Sequence, residues 1–156
     1  MTPEHKQALK AWIAAGLWLG LIALESTSYA SAANTGRFLY PLFHWLFGVT
    51  ATDFSGWNSH LRKIGHFVGY FTLSALMFRA WKNSWPGAAE VWRWQWAAMA
   101  FIVTAGVAAL DEWHQTFLPS RTGTFHDVIL DSSAALTAQI VIYILISRRE
   151  QALRAA

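Results

Sequence analysis

Residues 94–110 read WQWAAMAFIVTAGVAAL, a stretch of 17 residues without a charged side chain. Two acids, Asp111 and Glu112, follow it directly. A helix of about 20 residues crosses the roughly 30 Å hydrocarbon core of a bilayer. The stretch becomes long enough if Arg93 lies at the headgroup level, because long basic side chains reach the interface from a helix end. It therefore predicts a membrane-spanning helix.

The composition points to the same class of protein. Charged residues make up 13% of the 156 residues, and the set AVILMFWYC makes up 54%, whereas a typical soluble domain has about 25% charged residues. The net charge of +3 comes from scattered basic residues, which argues against nucleic-acid binding. The chain has no cysteine, which excludes disulfides, zinc–cysteine sites, iron–sulfur clusters and thiol catalysis.

Three further uncharged stretches, at residues 11–24, 67–78 and 132–147, accompany the one at 94–110. We therefore predict an all-α integral membrane protein with a single domain over residues 1–156. Its four transmembrane helices are expected at about residues 9–27, 63–82, 92–112 and 127–147. A soluble four-helix bundle is the alternative, but the stretches are apolar on all sides rather than along one stripe.

The first span also has some features of a signal peptide, since Ala30-Ser31-Ala32 resembles a cleavage site. Glu4 in the leading segment, and Trp12 and Trp18 within the apolar stretch, favour a permanent anchor instead. We therefore expect the first span to be retained.

The basic residues predict the orientation. An arrangement with the N-terminus inside places eight of the 12 basic residues on the cytoplasmic side and leaves Arg37, Arg62, Lys63 and Arg121 outside. Both termini are thus predicted to be cytoplasmic. The first external loop, residues 28–62, contains an apolar segment at 37–49 with Pro41 near its start. The segment is too short to span, so we expect an amphipathic helix lying on the outer leaflet.

Ionisable and polar side chains gather at the outer ends of the predicted spans. Residues three or four apart lie on one face of a helix, and two such faces occur: Lys63, His66 and Tyr70 in the second span, and Asp111, His114 and Gln115 in the third. Glu112 is expected to point elsewhere.

The start of the fourth span adds two acids, Asp127 and Asp131, four residues apart. Asp131 lies one turn inside the apolar stretch, where a carboxylate costs roughly 2.5–3.5 kcal/mol on insertion scales. Such a group needs a partner or a wet cavity. The sequence offers Lys63, Arg121 and two histidines, His66 and His114, as partners.

A metal site is one interpretation of this set. Histidine and carboxylate ligands suit zinc, manganese or iron, and the available ligands are His66, His114, Asp111, Asp127 and Asp131. No pair of ligands with a known metal-binding spacing lies on one helix, so the sequence leaves both the metal and any other cofactor undetermined.

Three segments resemble the VanZ-like family of teicoplanin-resistance membrane proteins. Residues 63–70 match its Lys-x-x-His-x-x-x-Tyr element, and residues 111–121 match Asp-Glu-x-His-Gln-x-Phe-x-Pro-x-Arg. Residues 127–131 resemble the Asp-x-x-x-Asp/Asn start of the last helix. One departure is Ser132-Ser133-Ala134-Ala135, where the family commonly has Thr-x-Gly-Ala, and loss of that glycine is expected to affect close helix packing.

The resemblance implies a four-span protein of the bacterial envelope, placed in the inner membrane, and leaves the chemistry open. One hypothesis is a binding protein whose polar site engages a lipid, a lipid-linked cell-wall precursor or a lipoglycopeptide. Another is an enzyme acting on a phosphate- or sugar-bearing lipid, with Asp111 or Glu112 and His114 as acid and base. A third is an ion-coupled carrier. The ligand-binding residues predicted for the first two are Lys63, His66, Tyr70, Gln115, Arg121, Asp127 and Asp131.

Overall fold

The computed structural model describes residues 1–28, 31–85, 92–119 and 121–155, and all regular structure in this part of the chain is helical. The helices are α1 (Pro3–Glu25), α2 (Ala32–Phe47), α3 (Ala51–Asn83), α4 (Trp94–Gln115) and α5 (Phe125–Ala155). Ala30 of the cleavage-like sequence and Ser120 of the 111–121 segment lie outside the described residues. The all-α class predicted from the sequence is confirmed.

Three helices, α1, α4 and α5, are long and apolar enough to cross a membrane. Large apolar side chains on their outer surfaces are exposed, for example Leu17, Ile102 and Leu145. A helix that is apolar on all sides needs an apolar surrounding, so these surfaces fit the hydrocarbon of a bilayer. The prediction of a membrane protein is thus confirmed. The second predicted span, at about residues 63–82, corresponds to α3, which is not among the three helices that meet this criterion.

Helix α3 begins well before the predicted span. Thr50 caps it: its hydroxyl accepts from the Asp53 amide at 3.2 Å, the usual N-cap bond, and donates to the Asp53 carboxylate at 2.7 Å. Residues 51–62, expected in the external loop, are therefore the first turns of α3. The apolar stretch indicated which part of the helix could lie inside the bilayer. It did not indicate the helix end, because helical hydrogen bonds continue beyond the apolar part.

Helix α3 lies at the centre of the bundle and contacts each of the other helices. Against α1, the indole nitrogen of Trp18 donates to the Gly69 carbonyl at 2.9 Å, and that of Trp12 donates to Ser84 Oγ at 2.9 Å. These bonds fix α1 along the second half of α3. The first helix is thus packed into the fold.

The contact between α3 and α5 is close and partly polar. Ala134 and Ala135 are fully buried, and Ser74 donates to the Ala135 carbonyl at 3.0 Å. Gln139 donates in turn to the Ser74 hydroxyl at 2.7 Å. Small side chains allow helix backbones to approach in a membrane, so alanine at position 134 permits close packing here.

Helix α2 packs on the first turns of α3, where the ring of Phe54 meets those of Tyr40 and Phe43 at centroid distances of 5.5 and 5.6 Å. It is longer than the predicted 37–49 segment, because Ser31 caps its start. The sequence predicted that Pro41 lies near the start of the helix, but it lies in the middle of α2. Gly48 ends α2 with a left-handed φ of 64°, a conformation that glycine adopts without steric cost.

Candidate functional site

Polar residues of four helices meet at one end of the bundle, which we call the polar end. Ser26, directly after α1, bonds His114 of α4, with 3.0 Å between Oγ and Nδ1. His66 of α3 meets Asp131 of α5, with 3.3 Å between Nδ1 and Oδ2. Side chains far apart in the sequence, which helical spacing alone could not connect, are thus neighbours here.

The centre of the polar end is an acid–histidine cluster formed by His66, Asp111 and Glu112, whose potential ligand atoms all lie within 4.8 Å of one another. Asp111 and Glu112 are 8% and 4% exposed. Tyr70 donates to Asp111 Oδ2 at 2.8 Å. The expectation that Glu112 points away from this site is wrong, because His66 approaches from a different helix and lies near two successive residues of α4.

Asp131 is the most deeply buried acid of the polar end, with no exposed surface. Its partner is His66, one of the four candidates from sequence. Its second oxygen, Oδ1, has no hydrogen-bond partner among the described residues. Of the two carboxylate oxygens, only Oδ2 thus has a hydrogen-bond partner among the described residues.

A cavity of about 550 Å³, which we call the chamber, opens beside this cluster between α2, α3, α4 and the start of α5. Its ionisable and amide-bearing walls are Asn58, Arg62, Lys63, His66, Glu112, Gln115 and Asp127. Gln115 is 3% exposed, and its Nε2 has no acceptor among the described residues. The chamber therefore presents the cations of Arg62 and Lys63, and the amide donor of Gln115, to whatever occupies it.

A second, much smaller cavity lies on the other side of His66. Glu25, Ser26, Tyr70 and Asp111 line it. His66 therefore separates two polar spaces and borders both, which makes it the central side chain of the polar end.

The loop before α5 fixes Glu112. The Thr124 amide donates to Glu112 Oε2 at 2.9 Å, while the Thr124 hydroxyl accepts from the Asp127 amide and donates to the Asp127 carboxylate. Asp127 thus supports the start of α5 as well as lining the chamber. At Gly123, a Cβ atom would collide with the Glu112 carbonyl oxygen and lie 3.0 Å from Thr116.

Arg121 turns toward α1 rather than toward the acids. Its guanidinium donates to the backbone carbonyls of Glu25 and Thr27, which lie at the end of that helix. Burial, and to a smaller extent the nearby Arg62, lowers the pKa of Arg121 from its usual value. The usual pKa of a guanidinium is so far above neutral pH that Arg121 stays charged. Arg121 is buried and is not among the residues that line the chamber.

The predicted site residues thus divide into three groups. Lys63, His66, Glu112, Gln115 and Asp127 line the chamber, and Asp111, Tyr70 and Asp131 lie behind it around His66. The remaining two face elsewhere: Arg121 binds the end of α1, and His114 is exposed and bonded to Ser26.

Sequence reasoning missed Arg62 and Asn58 as chamber residues. Both lie upstream of the predicted span, in the part of α3 that was assigned to a loop. A signal was present, since residues 58, 62 and 66 follow one another at helical spacing of four, which places them on one face. Extending the helical pattern past Lys63 would have found them.

The geometry can be compared with known proteins. The sequence model of the family described as VanZ/LLP1 matches residues 11–147, which include every residue of the chamber and of the acid–histidine cluster. Comparisons with curated proteins and with solved structures gave no match.

Proposed function

The chain belongs to the VanZ/LLP1 family, and on this basis we propose that it is an envelope membrane protein that binds the phosphate-bearing headgroup of a lipid or lipid-linked precursor in its chamber. The observation that carries the proposal is a cavity of about 550 Å³ with two basic side chains, Arg62 and Lys63, in its wall, together with the amide nitrogen of Gln115, which has no acceptor among the described residues.

Two basic side chains of the chamber wall can hold an anionic occupant, and two acidic ones, Glu112 and Asp127, line the same cavity. A guanidinium and an ammonium, next to each other in sequence, line the same cavity. Arg matches phosphate oxygens with paired N–H groups, and Lys does so as a mobile point charge. His66 lines the cavity from the same helix. A phosphate entering the chamber would thus meet donors along one helix.

The amide of Gln115 supports the same occupant from α4. Its buried Nε2 lacks an acceptor among the described residues, and a buried donor without a partner costs about 1–3 kcal/mol. An oxygen of a bound headgroup would satisfy it. Donors from α3 and α4 would then hold the headgroup from two sides.

The surroundings suit a ligand with a lipid tail. Helix α2, which contributes Tyr40 to the chamber wall, exposes the large apolar side chains of Phe38, Trp45 and Phe47. Such a face fits insertion into the interface of a leaflet. We place α2 on the outer leaflet and let α3 cross the membrane as the second of four spans. The chamber then lies at the headgroup level of the outer side of the inner membrane, with both termini in the cytoplasm.

The test is native mass spectrometry of the purified protein with two probes that differ only in the headgroup, a polyprenyl phosphate and the corresponding polyprenol. We expect the phosphate to bind and the alcohol to bind at least tenfold more weakly. A charge-assisted hydrogen bond contributes about 1.5–3 kcal/mol, and 1.4 kcal/mol is tenfold in affinity.

Variants locate the binding. Arg62→Ala, Lys63→Ala and Gln115→Met should each weaken binding of the phosphate, while Arg79→Ala should not. Arg79 is the matched control, because it is an exposed arginine of the same helix near its other end. Equal binding of the two probes, or equal loss in the Arg62 and Arg79 variants, would contradict the proposal.

A second candidate function is an enzyme acting on the same class of lipid. The observation that favours it is His66, which lies between Asp131 and the chamber. A histidine oriented by a buried carboxylate is a common general base, and His66 replaces His114 as the base in this reading. Release of inorganic phosphate from a polyprenyl diphosphate by the wild type, abolished in His66→Gln, would support an enzyme. If the wild type binds this lipid but releases no phosphate from it, the result would count against an enzyme.

A further inference from the structure

We propose that the acid–histidine cluster is a binding site for a divalent transition-metal ion, Zn²⁺ or Mn²⁺. His66, Asp111 and Glu112 each place a ligand atom within 4.8 Å of the other two, so that small side-chain movements bring all three to the roughly 2.0–2.2 Å at which an ion is bound. This inference goes beyond headgroup binding and does not depend on it, because the ligands are side chains of the chain itself.

The charge balance at the polar end calls for a cation. Asp111, Glu112 and Asp131 are all buried, and within the described residues their salt bridges are limited to that between Asp131 and His66. Asp111 and Glu112 also lie in the last turn of α4, where the helix dipole adds partial negative charge. Buried charges are normally paired or bound to metal.

The Lys or Arg residue nearest in sequence to Asp111 and Glu112 does not supply that charge. Arg121 uses its guanidinium on the Glu25 and Thr27 carbonyls. Arg62 and Lys63 line the chamber but form no salt bridge with these acids in the described part of the chain. A bound cation would therefore balance the negative charge of Asp111 and Glu112, which have no salt bridge among the described residues.

Each member of the cluster has one atom held by a hydrogen bond and a second atom that could coordinate an ion. Asp131 engages Nδ1 of His66, Tyr70 engages Oδ2 of Asp111, and the Thr124 amide engages Oε2 of Glu112. Oδ1 of Asp111 is buried and has no partner among the described residues. Metal ligands are commonly oriented in this way, by a bond to the atom that does not coordinate.

The set of ligands selects the kind of metal. One imidazole nitrogen with two carboxylates suits zinc or manganese, whereas magnesium and calcium prefer oxygen ligands throughout. His66 and Glu112 also border the chamber, which provides an entry path for the ion. The same border would bring a bound ion next to whatever occupies the chamber.

The test uses the full chain in detergent with no added lipid, after treatment with a chelator. Mn²⁺ binding is followed by electron paramagnetic resonance, and Zn²⁺ binding by titration calorimetry with elemental analysis. We expect one equivalent of ion per chain. Glu112→Gln and His66→Ala should weaken binding by at least the roughly 10–100-fold that loss of an outer-sphere partner costs.

His60→Ala is the matched control, since His60 is an exposed histidine of the same helix that bonds the Gly56 carbonyl. Glu112→Gln retains an acceptor for Thr124, so it tests the site even if His66→Ala fails to fold. Absence of Mn²⁺ and Zn²⁺ binding by the wild type, or equal binding by the wild type and Glu112→Gln, would overturn the metal site. Lipid binding is measured separately, so either proposal can fail alone.

Discussion

The Tyr70 hydroxyl donates a 2.8 Å hydrogen bond to Asp111 Oδ2 and so joins α3 to α4 inside the polar end. Tyr70 is 1% exposed, so neither group has ready access to water. This one bond both satisfies a buried carboxylate oxygen and fixes the direction of the other oxygen. It links the stability of the bundle to the geometry of the proposed metal site.

Replacing Tyr70 with phenylalanine should therefore lower both properties. The loss of the donor leaves a buried carboxylate oxygen unpaired, which costs about 1–3 kcal/mol. Metal affinity should fall roughly 10–100-fold, the usual effect of removing an outer-sphere partner. Thermal unfolding in detergent and Mn²⁺ titration measure the two effects. Tyr143→Phe is the control, because Tyr143 is 49% exposed, and an equal effect there would contradict the assignment.

Gly123→Ala should displace the loop before α5. The new Cβ would collide with the Glu112 carbonyl oxygen, and a clash with backbone cannot be relieved by a side-chain rotation. We expect a lower unfolding temperature together with weaker metal binding, since Glu112 must move. Gly20→Ala, where a Cβ meets nothing within 4 Å, should leave both unchanged, and similar losses in the two variants would exclude this explanation.

Arg121→Lys should destabilise the protein although the charge is kept. The guanidinium of Arg121 reaches two carbonyls, those of Glu25 and Thr27, and an ammonium lacks that planar fork. Loss of one hydrogen bond to a charged group costs about 1.5–3 kcal/mol. Denaturant titration in mixed micelles measures it, with the exposed Arg148→Lys as control. If lipid binding fell while stability stayed constant, Arg121 would instead belong to the ligand site.

The proposed topology predicts which positions are accessible from outside. The chain has no cysteine, so single cysteines can be labelled without background. In spheroplasts, a membrane-impermeant maleimide should label Thr122→Cys directly, and should label Gln151→Cys only after permeabilisation. Direct labelling of both positions would show that the two lie on the same side, contrary to four spans.

Much of the site could be predicted from sequence because its residues repeat at helical spacing. Lys63, His66 and Tyr70 are three and four apart, and the structure places all of them at the polar end. The start of α3 was predicted too late, since hydropathy reports the apolar core and not the helix ends. Arg62 was missed as a chamber residue for that reason.

The sequence by itself determined the membrane class, the approximate positions of the helices and most of the side chains that share a face, because composition and helical periodicity are local properties. Only the tertiary structure decided that His66 rather than His114 meets the acids, and that Arg121 binds the end of α1. Which faces of two helices meet depends on their rotation and crossing. Packing between helices sets both, and the spacing of residues along one helix contains no record of them.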